Sequence, residues 1–174
     1  MKKDSIMPIV VLTLICLFIA AALAVTNSLT DPLITTAATE RAASARFEII
    51  PDATGFEPLS RDGLPTTVGE AYRATNGAGY IFIVTVSGYG GDIEIICGIA
   101  EDGRIITTRV LRHNETKGIG AKVAEQAFRD QFAGMSGDMQ DVSAISGATI
   151  SSKVYVEAIR DALTAFEIAR GAGG

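Results

Sequence analysis

Residues 141–149 read Asp-Val-Ser-Ala-Ile-Ser-Gly-Ala-Thr and lead directly into Ile150-Ser151-Ser152-Lys153 and a helical pattern. The Thr149 hydroxyl follows two small residues, Gly147 and Ala148. Such a hydroxyl can approach a phosphate closely, because glycine permits unusual backbone angles and a helix start offers free N–H groups. A plainer use is also open: Ser146 or Thr149 can simply satisfy those N–H groups as a turn residue or helix cap. A second group of polar residues lies upstream, His113-Asn114-Glu115-Thr116-Lys117-Gly118-Ile119-Gly120. Gly118 and Gly120 let the backbone come close to a ring or a phosphate. Thr116 adds a hydroxyl, and Glu115 or His113 can hydrogen-bond the polar edge of a ligand. Here too a plain use exists, with Glu115 and Thr116 capping the next helix and His113 an ordinary loop residue.

The elements that must position these groups follow from periodicity and punctuation. Residues 80–86, Tyr-Ile-Phe-Ile-Val-Thr-Val, are β-branched and aromatic and predict a strand. The Gly-rich run 88–91 joins it to a second strand over 93–99 and precedes no helix, so it reads as a hairpin turn rather than a phosphate loop. Glu101-Asp102-Gly103-Arg104 predicts another hairpin, leading to a third strand over 105–111 that closes an antiparallel sheet. Two helices are then expected. One covers 121–133, with Ala124, Ala127, Phe128 and Phe132 on one side; the other covers 153–169, with Tyr155, Ile159, Ala162, Leu163 and Phe166 as its apolar stripe. Both should pack on the sheet, giving a small α+β domain. Residues 52–65 are broken by Pro and Gly and read as a loop or irregular edge.

Ahead of that domain the sequence changes character. Residues 6–25 contain no charged side chain, and a helix crossing the hydrocarbon needs about 20 apolar residues. Ala22-Leu23-Ala24 has the small-x-small form of a cleavage site, but secretory apolar cores run only about 7–15 residues. The expectation is therefore a retained single transmembrane helix. Cys16 follows bulky Ile15, which argues against a lipoprotein signal. Lys2 and Lys3 precede the run and the next basic residue is Arg41, so the N-terminus is expected in the cytoplasm and the C-terminal domain beyond the cell membrane. The expected layout is residues 1–5 cytoplasmic, 6–25 in the membrane, 26–51 a juxtamembrane helix and linker, and 52–174 the extracytoplasmic domain. Within the linker the apolar spacing predicts a helix over 29–50, with Pro32 near its start and Pro51 ending it.

Composition removes several function classes. The net charge of −5 argues against nucleic-acid binding. One His and two Cys cannot form a common zinc or iron–sulfur site, and no metal is expected. Cys16 and Cys97 lie in different regions, so no disulfide framework exists; Cys97, in an apolar strand pattern, reads as a small core residue.

The run ending at Thr149 resembles the Asp…Ser/Thr-Gly-Ala-Thr flavinylation signature of FMN-binding domains in Rnf- and Nqr-type electron-transport complexes. Val142 and Ala144 stand where the usual pattern has Gly and Thr. The 113–120 loop is similar to the His-x-Glu-Thr-Pro-Gly-Leu-Gly loop of the same domains, with Lys117 for Pro and Ile119 for Leu. Gly88-Tyr89-Gly90-Gly91-Asp92-Ile93 and Gly98-Ile99…Gly103-Arg104-Ile105 echo the family as well.

The resemblance implies covalent FMN, joined by a phosphoester to Thr149 by a separate flavin transferase. Ser146, Gly147 and Ala148 would flank the attachment, and His113, Glu115, Thr116, Gly118 and Gly120 would line the flavin pocket. Asp141 would serve transferase recognition. The implied kind of protein is the FMN-binding, G-type subunit of Rnf complexes: a membrane-anchored redox component, not catalytic alone, that relays electrons where ferredoxin/NAD electron transfer drives ion translocation. The other components of the complex, the transferase and membrane lipid are its implied partners. An Nqr-type flavoprotein subunit, a reversible FMN-binding sensor and a hydrolase using Ser146 and His113 are the alternatives. The hydrolase lacks a glycine two residues before its serine, where Ala144 stands.

Overall fold

The computed structural model describes residues 7–137 and 139–171; within the first helix it describes the side chains of 9–24, 26 and 43 onward. The chain divides into two compact units, one running to Ala43 and the other from Ser44.

Helix α1 spans Met7–Ile49. The expected apolar helix and the expected linker helix are thus one uninterrupted element, and Pro32 lies in its interior rather than near a start. The absent Pro32 N–H removes one i→i−4 bond there, and the helix continues through the loss. The side chains of 9–24 are exposed. Among the described residues, no helix is long and apolar enough to cross a membrane. The expected span begins at Ile6, outside the described residues, as do the expected cytoplasmic residues 1–5.

The second unit holds a five-stranded antiparallel sheet in sequential order: β1 Phe56–Pro58, β2 Val68–Ala74, β3 Tyr80–Ser87, β4 Asp92–Ile99 and β5 Ile105–His113. The three strands expected from periodicity are β3 to β5. Two more, β1 and β2, extend the sheet beyond β3. β2 mixes Gly69, Glu70 and Arg73 with small residues, and only Val68, Ala71 and Ala74 are buried; so weak an alternation carries little signal. β1 is three residues within the segment expected to be a loop or irregular edge.

The hairpins close as their sequences require. Gly88 N donates to Gly91 O at 2.9 Å between β3 and β4. Between β4 and β5, Ala100 N donates to Arg104 O at 2.8 Å, with Gly103 at φ +85°.

Both faces of the central strands are covered, which explains why residues 81–84 are apolar without alternation. Tyr80, Phe82, Val84, Ile95 and Cys97 face the final helix, α3, which spans Thr149–Gly171 and contributes Tyr155, Ala158, Ile159, Ala162 and Phe166. Ile81, Ile83 and Ile96 face the other way, against Ala45, Ile49 and Ile50 at the end of α1. Gly98 sits under that crossing: a Cβ there would collide with Ile49 Cγ2. Burial pushes the Cys97 thiol up to about 12, so it is an inert core residue.

The helix expected over 121–133 is instead three short pieces: a 3₁₀ turn Gly120–Ala124, helix α2 Gln126–Arg129 and a 3₁₀ turn Asp130–Phe132. Glu125, with φ −70° and ψ 145°, is extended and interrupts it. The buried side chains are Val123, Phe128 and Phe132, while Ala127 is exposed. Phe128 and Phe132 lie 5.3 and 5.2 Å from the Tyr155 ring. Large aromatic contacts outweigh the few tenths of a kcal/mol that alanine contributes to helix propensity. Beneath them Tyr155 Oη donates to Thr108 Oγ1 at 2.8 Å and Arg129 Nη1 to Thr108 O at 2.9 Å.

Candidate functional site

The two groups of residues singled out in the sequence, some thirty positions apart, line one cleft of about 480 Å³, within the 300–1,000 Å³ usual for cofactor sites. From the first come Glu115, Thr116, Ile119 and Gly120, joined by Tyr89 of the β3–β4 turn. From the second come Gly147, Ala148, Thr149, Ile150 and Ser151.

The second wall is a turn running into a helix. Ala148 N donates to Ile145 O at 2.9 Å, and Gly147 occupies the third position at φ +82°, where a left-handed residue is required and glycine adopts it without cost. Ile145 N donates to Ser152 Oγ at 3.0 Å, tying the start of the turn to the first turn of α3. Ser152 N, reaching Ala148 O at 2.9 Å, is an early helical donor. The N–H groups of Thr149, Ile150 and Ser151 have no backbone acceptor among the described residues. Thr149 is exposed and is the first residue of α3, so its hydroxyl stands at the positive end of a helix of 23 residues.

The first wall is organised by one carboxylate. Glu115 is only 6% exposed. Its Oε1 accepts from Tyr89 N at 2.7 Å and Gly90 N at 3.3 Å. Its Oε2 is buried without a partner among the described residues. Gly120 makes room for this oxygen: a Cβ there would overlap Oε2 and lie 3.0 Å from Ser151 Oγ. Gly88 plays the same part for Oε1. The two glycines of the loop therefore differ. Gly120 is a close-approach residue, with the Glu115 carboxylate as its neighbour, whereas Gly118, at φ +78° with nothing within 4 Å of a Cβ, serves the turn alone.

Not every predicted residue reaches the cleft. His113 closes β5 opposite Ile93, and its Nδ1 accepts from Glu115 N at 3.3 Å, so it holds the backbone of Glu115 and does not line the cleft. Gly118, Ser146 and Asp141 are exposed and lie outside the lining. Since neither Ser146 nor His113 lines the cleft, the pair a hydrolase would need is not assembled there. Tyr89 is a lining residue that the sequence did not single out; its Gly-rich run echoes the FMN-binding family, but nothing in the sequence brings residue 89 beside residue 115. Among the described residues, no cluster of His, Cys, Asp and Glu could hold a metal ion.

The cleft suits a ligand combining an anionic group, hydrogen-bond donors and a flat apolar body. Phosphate fits the free N–H groups and the hydroxyl, and a donor fits the orphaned Glu115 Oε2. The exposed Tyr89, Ile119 and Ile150 side chains suit a ring. FMN has all three parts. In agreement, residues 88–164 match the FMN-binding domain family, which places this unit among FMN-binding domains.

Relatives with known names narrow the class. The chain is 32% identical over 179 residues to the G-type subunit of the ion-translocating oxidoreductase complex of Methanosarcina acetivorans, covering 93% of this chain and 94% of the relative. It is 30% identical over 176 residues to the G-type subunit of the Na(+)-translocating ferredoxin:NAD(+) oxidoreductase complex of Acetobacterium woodii, covering 85% and 84%. With the corresponding component of the proton-translocating ferredoxin:NAD(+) oxidoreductase complex of Clostridium ljungdahlii, identity is 30%, over 53% of this chain and 56% of the relative. The chain belongs to the family of G-type subunits of Rnf ion-translocating oxidoreductase complexes.

Proposed function

We propose that this chain is a membrane-anchored flavoprotein subunit that holds FMN through a phosphoester on Thr149 and relays electrons within an Rnf-type complex, coupling ferredoxin/NAD electron transfer to ion translocation. The observation that carries the reading is the convergence, in one cleft, of an exposed Thr149 hydroxyl at a helix start and a buried carboxylate oxygen that lacks a partner among the described residues. Bound there, FMN would supply the capacity to accept and return electrons one or two at a time.

The chain's own residues do the rest. Thr149 Oγ1 would give up its proton as it bonds to the flavin-side phosphorus of a flavin dinucleotide brought by the transferase; the bridging P–O bond would break, the departing nucleoside monophosphate would carry away the bridging oxygen, and an anionic diester would be left beside the free N–H groups of α3. The helix start favours that charge by about 0.3–1 kcal/mol. Covalent attachment removes the loss by dissociation that a reversible cofactor suffers outside the cell. Glu115, whose Oε2 lacks a partner among the described residues, would accept a hydrogen bond from a flavin donor, and its carboxylate would oppose added negative charge on the ring and so lower the ring's readiness to take electrons. Thr116 offers a hydroxyl at the rim. Asp141, exposed and outside the cleft, is left free for the transferase.

The anchor belongs to the same proposal. Residues 6–25 are uncharged, and Ile9, Leu12, Leu17, Phe18 and Leu23 of α1 are exposed, an apolar surface suited to lipid or to helices of partner proteins in the complex. The basic Lys2 and Lys3 favour a cytoplasmic N-terminus and an extracytoplasmic domain. The remaining components of the complex, the flavin transferase and membrane lipid are the partners this requires.

The experiment is mass spectrometry of the peptide containing Thr149, from full-length protein made alongside its transferase. The expected result is an added FMN less water, absent in Thr149→Ala and retained in part in Thr149→Ser. Stoichiometric covalent flavin in Thr149→Ala would place the attachment elsewhere.

A further inference from the structure

Three large apolar side chains stand unusually open around the cleft: Tyr89 at 74%, Ile119 at 52% and Ile150 at 53% exposure. Among the described residues of the second unit, only Phe47 and Ile168 are also large, apolar and exposed. The three come from separate elements, namely the β3–β4 turn, the loop after β5 and the first turn of α3, yet all line the same cleft. Exposure of a single hydrophobe needs no explanation, but convergence of three on one concave site does.

Tyr89 differs from the other two in how firmly its backbone is held. Its N–H donates to the buried Glu115 carboxylate at 2.7 Å, and Gly90 N donates to the same oxygen at 3.3 Å. The turn is closed by Gly88 N to Gly91 O at 2.9 Å. It also lies flush on the neighbouring loop: a Cβ on Gly90 would come 2.9 Å from Asn114 O, and one on Gly91 would come 2.8 Å from Asn114 Cβ. The ring itself takes no part in the core. The fold thus pins the turn through both its hydrogen bonds and its close packing while leaving the aromatic ring in solvent at the rim, an arrangement without structural benefit to the protein alone.

We infer that Tyr89 is a positioning residue for the flavin: its ring stacks on one face of the isoalloxazine, with Ile119 and Ile150 closing the cleft around it. This rests on the flavin reading above. A tyrosine immobilised by its backbone offers a broad, flat contact at little further entropic cost, and offset stacking is the favoured geometry for two such rings. Glu115 would then have two tasks, one oxygen holding the turn that carries Tyr89 and the other, without a partner among the described residues, left for the ligand. A stacked phenol also quenches flavin fluorescence: the light-excited ring takes an electron from the phenol, which then returns with no net oxidation or reduction.

The test uses full-length protein produced with its transferase, with flavin content per chain fixed by absorbance and by the mass of the Thr149 peptide. Tyr89→Leu should raise the fluorescence per bound flavin and the access of the ring to iodide, each by about twofold to tenfold, the population change one aromatic stack commands. Tyr89→Phe keeps the stack and loses the phenol, so its iodide access should match that of the native protein while its fluorescence rises. Native fluorescence and iodide access in a fully loaded Tyr89→Leu would overturn the inference and leave the flavin on Thr149 standing. Equal gains in iodide access for Tyr89→Phe and Tyr89→Leu would overturn stacking as the cause. A native protein without flavin at Thr149 would overturn the reading on which it rests.

Discussion

Gly120→Ala puts the carboxylate-centred site to its most direct test. A Cβ at residue 120 would occupy the place of Glu115 Oε2 and stand 3.0 Å from Ser151 Oγ. The side chain that must yield is Glu115, because a carboxylate at the end of a flexible chain moves more readily than the buried Ser151 in the first turn of α3. Swinging away costs it the bonds to Tyr89 N and Gly90 N. The 2.7 Å bond to the buried Glu115 carboxylate contributes about 1.5–3 kcal/mol and the longer 3.3 Å bond about 0.5–1, so Gly120→Ala should lose about 2–4 kcal/mol. In thermal unfolding of the full-length protein followed by circular dichroism, that corresponds to about 5–15 °C. The route of the damage can be isolated in a double-mutant cycle. With Glu115→Ala already present there is no carboxylate to displace, and adding Gly120→Ala should cost less than about 1 kcal/mol. Gly118→Ala is the comparison, since it meets no atom within 4 Å and bears only the strain of φ +78°, about 1–2 kcal/mol. If Gly120→Ala were equally costly with and without the Glu115 side chain, the carboxylate would not be what the glycine accommodates, and the account of this wall would fail.

Two predictions concern the packing beneath the cleft. Tyr155→Phe strips the Thr108 hydroxyl of a buried partner and should cost about 1–3 kcal/mol by urea unfolding, most of it recovered in the double variant with Thr108→Val, where both polar groups are gone. Cys97 supplies a pH signature. Burial raises its folded pKa from 9.0 to about 12, so its contribution is fully present below pH 9 and is lost as pH rises from there through 12. Relative to Cys97→Ala, the native protein should lose about 2–3 kcal/mol of stability between pH 9 and pH 11. A difference between the two proteins that stays constant over that range would contradict the assignment.

Much of this molecule is written locally. The β-branched run at 80–86, the glycine-rich and Asp-Gly turns and the apolar stripe from Tyr155 to Phe166 specify β3 to β5 and α3, because strand and helix periods and turn chemistry are properties of neighbouring residues. The small residues before Thr149 likewise announce a hydroxyl on a tight turn. Other features are properties of what packs where. β2 pairs with β3 although only three of its residues are buried, since a backbone ladder can be completed by a strand with little pattern of its own. The segment 121–133 breaks into short pieces because Phe128 and Phe132 gain more against Tyr155 than an unbroken helix would provide. Residue types permit Glu115 many roles; only the sheet, by carrying the end of β5 beside the β3–β4 turn, buries its carboxylate, pins Tyr89 and leaves one oxygen without a partner among the described residues. Sequence thus determined which groups are able to do chemistry, and tertiary structure decided which of them meet, because burial and convergence depend on residues distant along the chain.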